Sequence, residues 1–276
     1  MQVISAIEAV RQARASYTTL GLVPTMGYLH AGHLSLVRQA HQECGAVAVS
    51  IFVNPTQFGP NEDFGRYPRD MQRDLSLLEA EGVDLVFTPQ PSEIYPVGFG
   101  TEVVLAAAEE VLEGAARPGH FRGVATVVCK LLNILQPTRA YFGQKDAQQT
   151  VVVRQMVRDL NMPYEIVVAP TIREADGLAL SSRNTYLNAE QRQSATVLYR
   201  ALRAASERYA TGERSAAVLR EVMRTVLASE PAVQPEYVSV ADPLSLRELE
   251  AISQGALLSM AVRLGSVRLI DNMVLG

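Results

Sequence analysis

Two histidines three residues apart, His30 and His33, stand in the stretch VPTMGYLHAGH (residues 23–33), where a short apolar run meets a glycine-containing turn and then a helical segment. That spacing puts both imidazoles near one face of a helix start, and Gly27 and Gly32 lack the side chains that bar a phosphate from the backbone. Helix N-termini present N–H groups to anions, and an imidazole there can stabilise charge that develops during nucleotidyl transfer. Two other readings compete. Either histidine can be a helix-capping residue, and a histidine pair can bind zinc. A zinc site needs further ligands, and His41, His120, Cys44 and Cys129 do not supply them at ligand spacing.

Four further segments carry side chains suited to the same chemistry. FVNPTQF (residues 52–58) follows an apolar run and offers two uncharged amides, Asn54 and Gln57, for a small polar substrate, although Asn-Pro is also ordinary turn chemistry. RPGHFRG (residues 117–123) is a Gly/Pro loop ahead of a helix and is followed by YFGQKDAQQ (residues 141–149), in which Lys145 stands at a strand end, Asp146 at a helix start and Gln149 one turn on. GLALSSRN (residues 177–184) sets Ser181, Ser182 and Arg183 in sequence, two hydroxyls and a guanidinium able to clamp an oxyanion, or equally two capping serines beside a surface arginine.

The elements that must position these residues are legible as alternating β-branched runs and helical periods. Strands are expected near residues 21–24, 46–53, 83–87, 139–142 and 165–168, and helix faces at Met71, Leu75 and Leu78 and at Val124, Val128, Leu131 and Leu135. That alternation predicts an α/β fold, a parallel sheet with helices packed on it, and the AVAVSIFV and VDLVF runs are too short and β-branched for a helical bundle. Residues 1–15 alternate apolar with charged residues as an amphipathic helix does. After about Pro170 the texture shifts to helices over residues 189–210 and 214–229, then strand-like YVSV, SMAVRL and VRLI. Two domains are expected, residues 1–171 and a smaller C-terminal α+β domain over residues 172–276.

Composition narrows the class. The 276 residues are 48% hydrophobic, enough for a sizeable core, and 25 Lys and Arg against 29 Asp and Glu leave a net charge of −4. No global basic field holds a nucleic-acid backbone, so a polyanion must be met locally. Two cysteines and the lack of a signal-like apolar stretch point to a reducing, cytoplasmic compartment, and no run approaches the roughly 18 apolar residues of a membrane helix.

In this order and at these separations, TMGYLHAGH, NPTQF, RPGHFRG, YFGQKDAQQ and LSSRN resemble the pantothenate synthetase (pantoate–β-alanine ligase) family, within the H-x-G-H nucleotidylyltransferase superfamily. The resemblance runs from about Pro24 to Asn184 and departs mildly at Tyr28, Gln144, Ala147 and Leu180. It implies a Rossmann-like parallel sheet with helices on both faces, a homodimer, and ATP, Mg2+, D-pantoate and β-alanine as ligands. Pantoate would be adenylated by ATP and the β-alanine amine would then displace AMP.

Transferred onto this chain, the resemblance makes His33 the catalytic histidine, with His30, Lys145 and Arg183 beside it. Met26, Gly27, Tyr28, Leu29, His30, Ala31, Gly32 and His33 would hold ATP, with Gly143, Gln144, Lys145 and Asp146 seating the nucleotide and Ile172 helping through its backbone. Leu180, Ser181, Ser182 and Arg183 would close over the triphosphate. Gln57 and Gln149 would bind pantoate, Gln57 also serving β-alanine, with Asn54, Tyr67, His120 and Arg122 lining the site. No protein ligand for magnesium is expected. The rival readings are an H-x-G-H adenylyltransferase with a phosphate acceptor, and a non-catalytic RNA-binding module, which the charge balance, 6% aromatic content and absence of Trp oppose.

Overall fold

In this computed structural model, which describes residues 1–276, six strands form one sheet in the order β1-β4-β3-β2-β5-β6. The strands are β1 (Gln2–Ile4), β2 (Gly21–Thr25), β3 (Val47–Ile51), β4 (Leu85–Phe87), β5 (Arg139–Gly143) and β6 (Glu165–Ala169), and all adjacent pairs are parallel. Between them run α1 (Ile7–Arg14), α2 (Ala31–Cys44), α3 (Met71–Ala80), the short helices α4 (Pro91–Ile94), α5 (Ala106–Glu109) and α6 (Leu112–Ala116), then α7 (His120–Leu135) and α8 (Ala147–Asp159).

Period-two alternation divides the sheet residues between two cores. Leu22, Ala48, Ala140 and Phe142 pack with Val10 of α1 and with Val124, Val128, Leu131 and Leu135 of α7. Val23, Val47, Val49 and Tyr141 face the other way, against Leu34 and Val37 of α2 and Leu78 of α3. Both faces are therefore covered by helices. Each fully buried aliphatic side chain contributes roughly 1.5–3 kcal/mol, which makes the central strands a rigid base for the loops at their ends.

The strand order reverses at β2. From β2 the chain moves outward to β3 on one side, and β5 pairs on the other, with Gly21 opposite Arg139 and Leu22 opposite Ala140. In open parallel sheets ligands bind outside the carboxyl ends of the strands at such a reversal. Here those ends are Thr25 and Gly143, which open the two motif-bearing segments TMGYLHAGH and GQKDAQQ.

The chain divides into two compact units, residues 1–143 with 152–170, and residues 144–151 with 171–276. The second holds short 3-10 turns and α9 (Ala189–Ser194), α10 (Val197–Ala210) and α11 (Ala216–Leu227), followed by the antiparallel sheet β7 (Val233–Ala241), β8 (Ala256–Leu264) and β9 (Val267–Leu275). The central strand β8 is buried along nearly its whole length, which explains its continuous apolar run.

Four expectations are corrected. The N-terminus opens with strand β1, too short for alternation to reveal, before the amphipathic helix begins at Ile7. The single helix expected over residues 189–210 breaks between Ser194 and Val197, although every residue there tolerates helix. On α3 Met71 is exposed and Asp74 is buried with Leu78, so the inward face is rotated from the apolar triplet. Residues 144–151 belong with the second unit because Asn272 and Tyr237 hydrogen-bond to Gln144, Lys145 and Gln148.

Candidate active site

After Thr25 the backbone enters the left-handed region at Gly27 (φ 81°) and Tyr28 (φ 52°). A Cβ at Gly27 would sit 3.0 Å from both Asp74 Oδ2 and Ile51 Cγ2, so glycine is required by conformation and by space. Asp74 holds this turn in place: its carboxylate, 1% exposed, accepts from Tyr28 N–H at 2.6 Å and from Leu29 N–H at 2.8 Å. Burial raises its pKa, and the two N–H bonds only partly offset that rise.

The turn delivers His30 to the N-cap of α2. His30 Nδ1 accepts from Gly32 N–H (3.2 Å) and His33 Nδ1 accepts from His30 N–H (3.3 Å), a reciprocal capping box. The rings lie 4.0 Å apart, centroid to centroid. Capping and catalysis are compatible here. Because each Nδ1 accepts, the proton of each neutral ring is on Nε2, the nitrogen opposite the backbone. The turn is not an open cradle, since Gly27, Tyr28, Leu29, His30 and Gly32 N–H groups all have partners within the protein.

Gln57 meets this turn directly. Its Nε2 lies 3.4 Å from Met26 Sδ, a weak acceptor that a substrate oxygen can replace, while its Oε1 accepts from Asn54 Nδ2 at 3.1 Å. The Gln57 carbonyl accepts from His120 Nδ1 (2.9 Å) and Arg117 (3.4 Å). The α7 backbone approaches so closely that a Cβ on Gly123 would fall 2.4 Å from the Thr56 carbonyl. Tyr67 is buried edge-on to Phe58, the next residue after Gln57.

Three side chains expected to line the site have other tasks. Asn54, 1% exposed, spends its amide on Gln57, the Gly123 carbonyl, Thr56 and Tyr95, and so caps the Pro55–Gln57 turn. His120 is used at both nitrogens, by the Gln57 carbonyl and by Arg117 at 3.0 Å. Arg122 is half exposed and paired with Glu102 at 3.4 Å. Arg117, which sequence reasoning passed over, is the hub: it grips Glu62 at 2.8 and 2.5 Å while steadying His120 and Gln57.

Burial and the adjacent Arg117 push the His120 pKa down to about 4, so the ring is neutral near pH 7. Burial raises the Glu62 carboxyl, but the Arg117 hydrogen bond and charge outweigh it and the net shift is downward. An unfolded chain takes up the His120 proton near pH 6.5. Stability from neutral His120 is therefore complete above about pH 6.5 and is lost as pH falls toward about 4, a loss on the order of 3 kcal/mol. Glu62 adds to the loss below the usual carboxylate range. Urea midpoints between pH 7 and pH 4.5 are expected to fall steeply in the parent and less in His120→Asn. Equal slopes in the two proteins would contradict this assignment.

In the second unit, Gln144, Lys145 and Asp146 form a 3-10 turn, with Lys145 Nζ 3.2 Å from Asp146 Oδ1. Gln149 lies on the first turn of α8. Leu180 N–H bonds the Ile172 carbonyl at 3.0 Å and Arg173 bridges Ala179, so residues 172–180 form a small hairpin. Ile172 thus has its carbonyl committed to Leu180. Beyond the hairpin Ser181 Oγ accepts from Arg183 N–H at 3.3 Å, so Ser181 is a cap, while Ser182 is buried. The base of the hairpin is clamped by Asp271, whose carboxylate takes Arg173 at 2.7 and 2.9 Å.

A cleft of about 570 Å³ on the second unit, walled by Asp176, Gly177, Tyr199 and Arg203, contains none of the residues singled out from the sequence. Gly177, which opens the GLALSSRN segment, is its one link to the motif loops, and Arg203 there is paired with Glu207. No group of three or more His, Cys, Asp or Glu side chains is placed to hold a metal ion, and no helix is long and apolar enough to cross a membrane.

The fold defines a class, a Rossmann-like α/β protein whose motif-bearing loops follow the carboxyl ends of β2 and β5. Comparison with known proteins is specific. A family model for pantoate-beta-alanine ligase matches residues 2–274, and the chain belongs to that family. It is 73% identical to a pantothenate synthetase of Chloroflexus aurantiacus over 100% of this chain and 98% of that protein. Among solved structures it is similar to pantothenate synthetase from Thermus thermophilus, at 50% identity and a TM-score of 0.95 over 99% of both chains. Pantoate-beta-alanine ligase from Francisella tularensis, complexed with beta-gamma ATP and beta-alanine, is 35% identical, with a TM-score of 0.81 over 99% of this chain and 97% of that one.

Proposed function

We infer that this chain joins D-pantoate to β-alanine at the expense of ATP, giving pantothenate, AMP and pyrophosphate. The structural observation that carries the reading is the 3.4 Å approach of Gln57 Nε2 to Met26, which sets an uncharged amide donor against the turn leading into the two histidines. An uncharged donor suits a hydroxy acid that must bring its carboxylate up to a triphosphate without extra charge. Membership of the pantoate-beta-alanine ligase family, and relatives of that name at 73% identity, support the same substrates.

In the first step a pantoate carboxylate oxygen attacks the α-phosphorus of ATP, and the bond to pyrophosphate breaks. His33 and His30 donate Nε2–H to the phosphate oxygens as negative charge builds there. Lys145 sits on the phosphates, and Ser181, Ser182 and Arg183 escort the departing pyrophosphate. The Gly143–Asp146 segment and Ile172 seat the nucleotide. Gln57 and Gln149 hold pantoate by its hydroxyl and carboxylate. In the second step the neutral β-alanine amine attacks the acyl carbon of pantoyl adenylate, AMP leaves with the former carboxylate oxygen, and the amine's surplus proton passes to solvent.

Magnesium, which the family resemblance implies, would offset charge on the nucleotide phosphates, and no protein ligand is assigned to it. The enzyme is further proposed to be a cytoplasmic homodimer, as the family resemblance implies. Oxygen transfer tests the chemistry. With 18O-labelled pantoate carboxylate, one label is expected in the AMP phosphate, and unlabelled AMP would exclude the adenylate route.

A further inference from the structure

We propose that Asn272, on the last strand of the chain, is a positioning residue for nucleotide binding. Its carboxamide fixes the backbone of Gln144 and Lys145, and so the point from which the Lys145 ammonium reaches a phosphate. The inference rests on the proposed placement of Lys145 at the nucleotide phosphates.

Asn272 is 5% exposed and directs its side-chain hydrogen bonds to one turn 127–128 residues away. Nδ2 donates to the Gln144 carbonyl at 3.0 Å and the Lys145 carbonyl at 2.8 Å, while Oδ1 accepts from Gln144 Nε2 at 3.2 Å. A three-residue 3-10 turn has few internal bonds of its own, so these contacts largely decide its conformation. A carboxamide supplies two donors and an acceptor in one plane, a combination that no apolar, acidic or basic side chain of this size provides.

The preceding residue extends the same logic. Asp271 is 1% exposed in its side chain and clamps Arg173 in a bidentate pair; Arg173 also donates to the Gly177 carbonyl (3.0 Å) and to the Asn272 carbonyl (3.2 Å). One buried dipeptide thus anchors the turn that carries Lys145 and the hairpin that leads to Ser181–Arg183. Two buried polar residues in the middle of the strand carry a desolvation cost that an apolar pair would not. Fixing the two phosphate-handling segments in a common frame accounts for their presence.

The test compares Asn272→Asp, which turns a carboxylate oxygen toward the two carbonyls, with Ser259→Ala. Ser259 is the register partner of Asn272, buried, and its hydroxyl has no hydrogen-bond partner. Asn272→Asp is expected to raise the KM for ATP about tenfold or more, with the KM for β-alanine within about twofold of the parent. Ser259→Ala is expected to leave both unchanged. Should Asn272→Asp lack a cooperative unfolding transition, Asn272→Ser, which keeps one donor, takes its place with a smaller rise. Lys145→Ala is measured alongside, and adding the Asn272 change to it is expected to weaken ATP binding little further.

If Lys145→Ala raises the KM for ATP and the folded Asn272 variant does not, the positioning role is overturned. If Lys145→Ala itself leaves that KM unchanged, the placement of Lys145 at the phosphates falls, and the proposal with it. Fully additive effects in the double variant would show that Asn272 acts otherwise than through Lys145.

Discussion

His33→Gln is expected to lower the rate of pantoate-dependent ATP–pyrophosphate exchange by about 10²–10³ while leaving the unfolding midpoint nearly unchanged, because loss of one donor to a developing oxyanion costs that much. The choice of glutamine matters. His33 occupies the third helical position of α2 and receives the His30 N–H, so alanine would remove a capping contact together with the imidazole. Glutamine is the residue usually found at that position of a capping box, so it keeps the acceptor and deletes only the ring. The exchange rate and a urea titration on the same preparation separate the two contributions. A stable His33→Gln enzyme with parental exchange would show that His33 is a cap and nothing more. Large losses in both stability and rate would mean that the ring, not just its Nδ1, holds the turn together.

Asp74→Ala carries the second large effect, and here stability is the leading readout. The substitution strands the Tyr28 and Leu29 N–H groups, both now bonded to one buried carboxylate, at a turn already in the left-handed region. Each stranded group costs about 1–3 kcal/mol, so a loss of about 2–5 kcal/mol is expected in urea unfolding at pH 7. Asn is no rescue. It offers one acceptor where two are needed, and its NH2 would face a backbone donor. Both variants are also expected to lose activity well beyond the unfolded fraction, since the turn sets where His30 and His33 stand. An Asp74→Asn protein with parental stability would contradict this account of the turn.

Asp74 also shows where the sequence was legible and where it was not. The α/β architecture, five of the six parallel strands and the smaller α+β unit follow from hydrophobic period, because burial against a sheet acts on every residue of an element. Strand β1 escaped, being three residues at the sheet edge with little burial. The residues assigned to substrate in the proposed mechanism come from short linear motifs, because close approach to phosphate favours glycine, histidine and lysine at close spacing. Those that position them do not.

Asp74 reaches its turn across 45–46 residues, Arg117 reaches Glu62 across 55, and Asn272 reaches Lys145 across 127. No local pattern joins such pairs, yet each left a trace. Asp74 lies on the stripe that includes Leu78, where a charge is out of place, and Asp271 with Asn272 interrupts the apolar strand VRLIDNMVL. At Asn54 two readings stand open in the sequence, substrate contact and turn chemistry. Its position directly before proline, at the start of a tight turn, makes it a cap.

The central claim is that this chain activates pantoate as an adenylate before β-alanine takes part, and ATP–pyrophosphate exchange tests it most directly. With magnesium, ATP, labelled pyrophosphate and the purified protein, exchange is expected to require pantoate and to proceed without β-alanine, while AMP release requires β-alanine. Exchange that ignores pantoate but responds to a phosphate-bearing acceptor would contradict the account, keeping nucleotidyl transfer and removing the substrate assigned to Gln57 and Gln149.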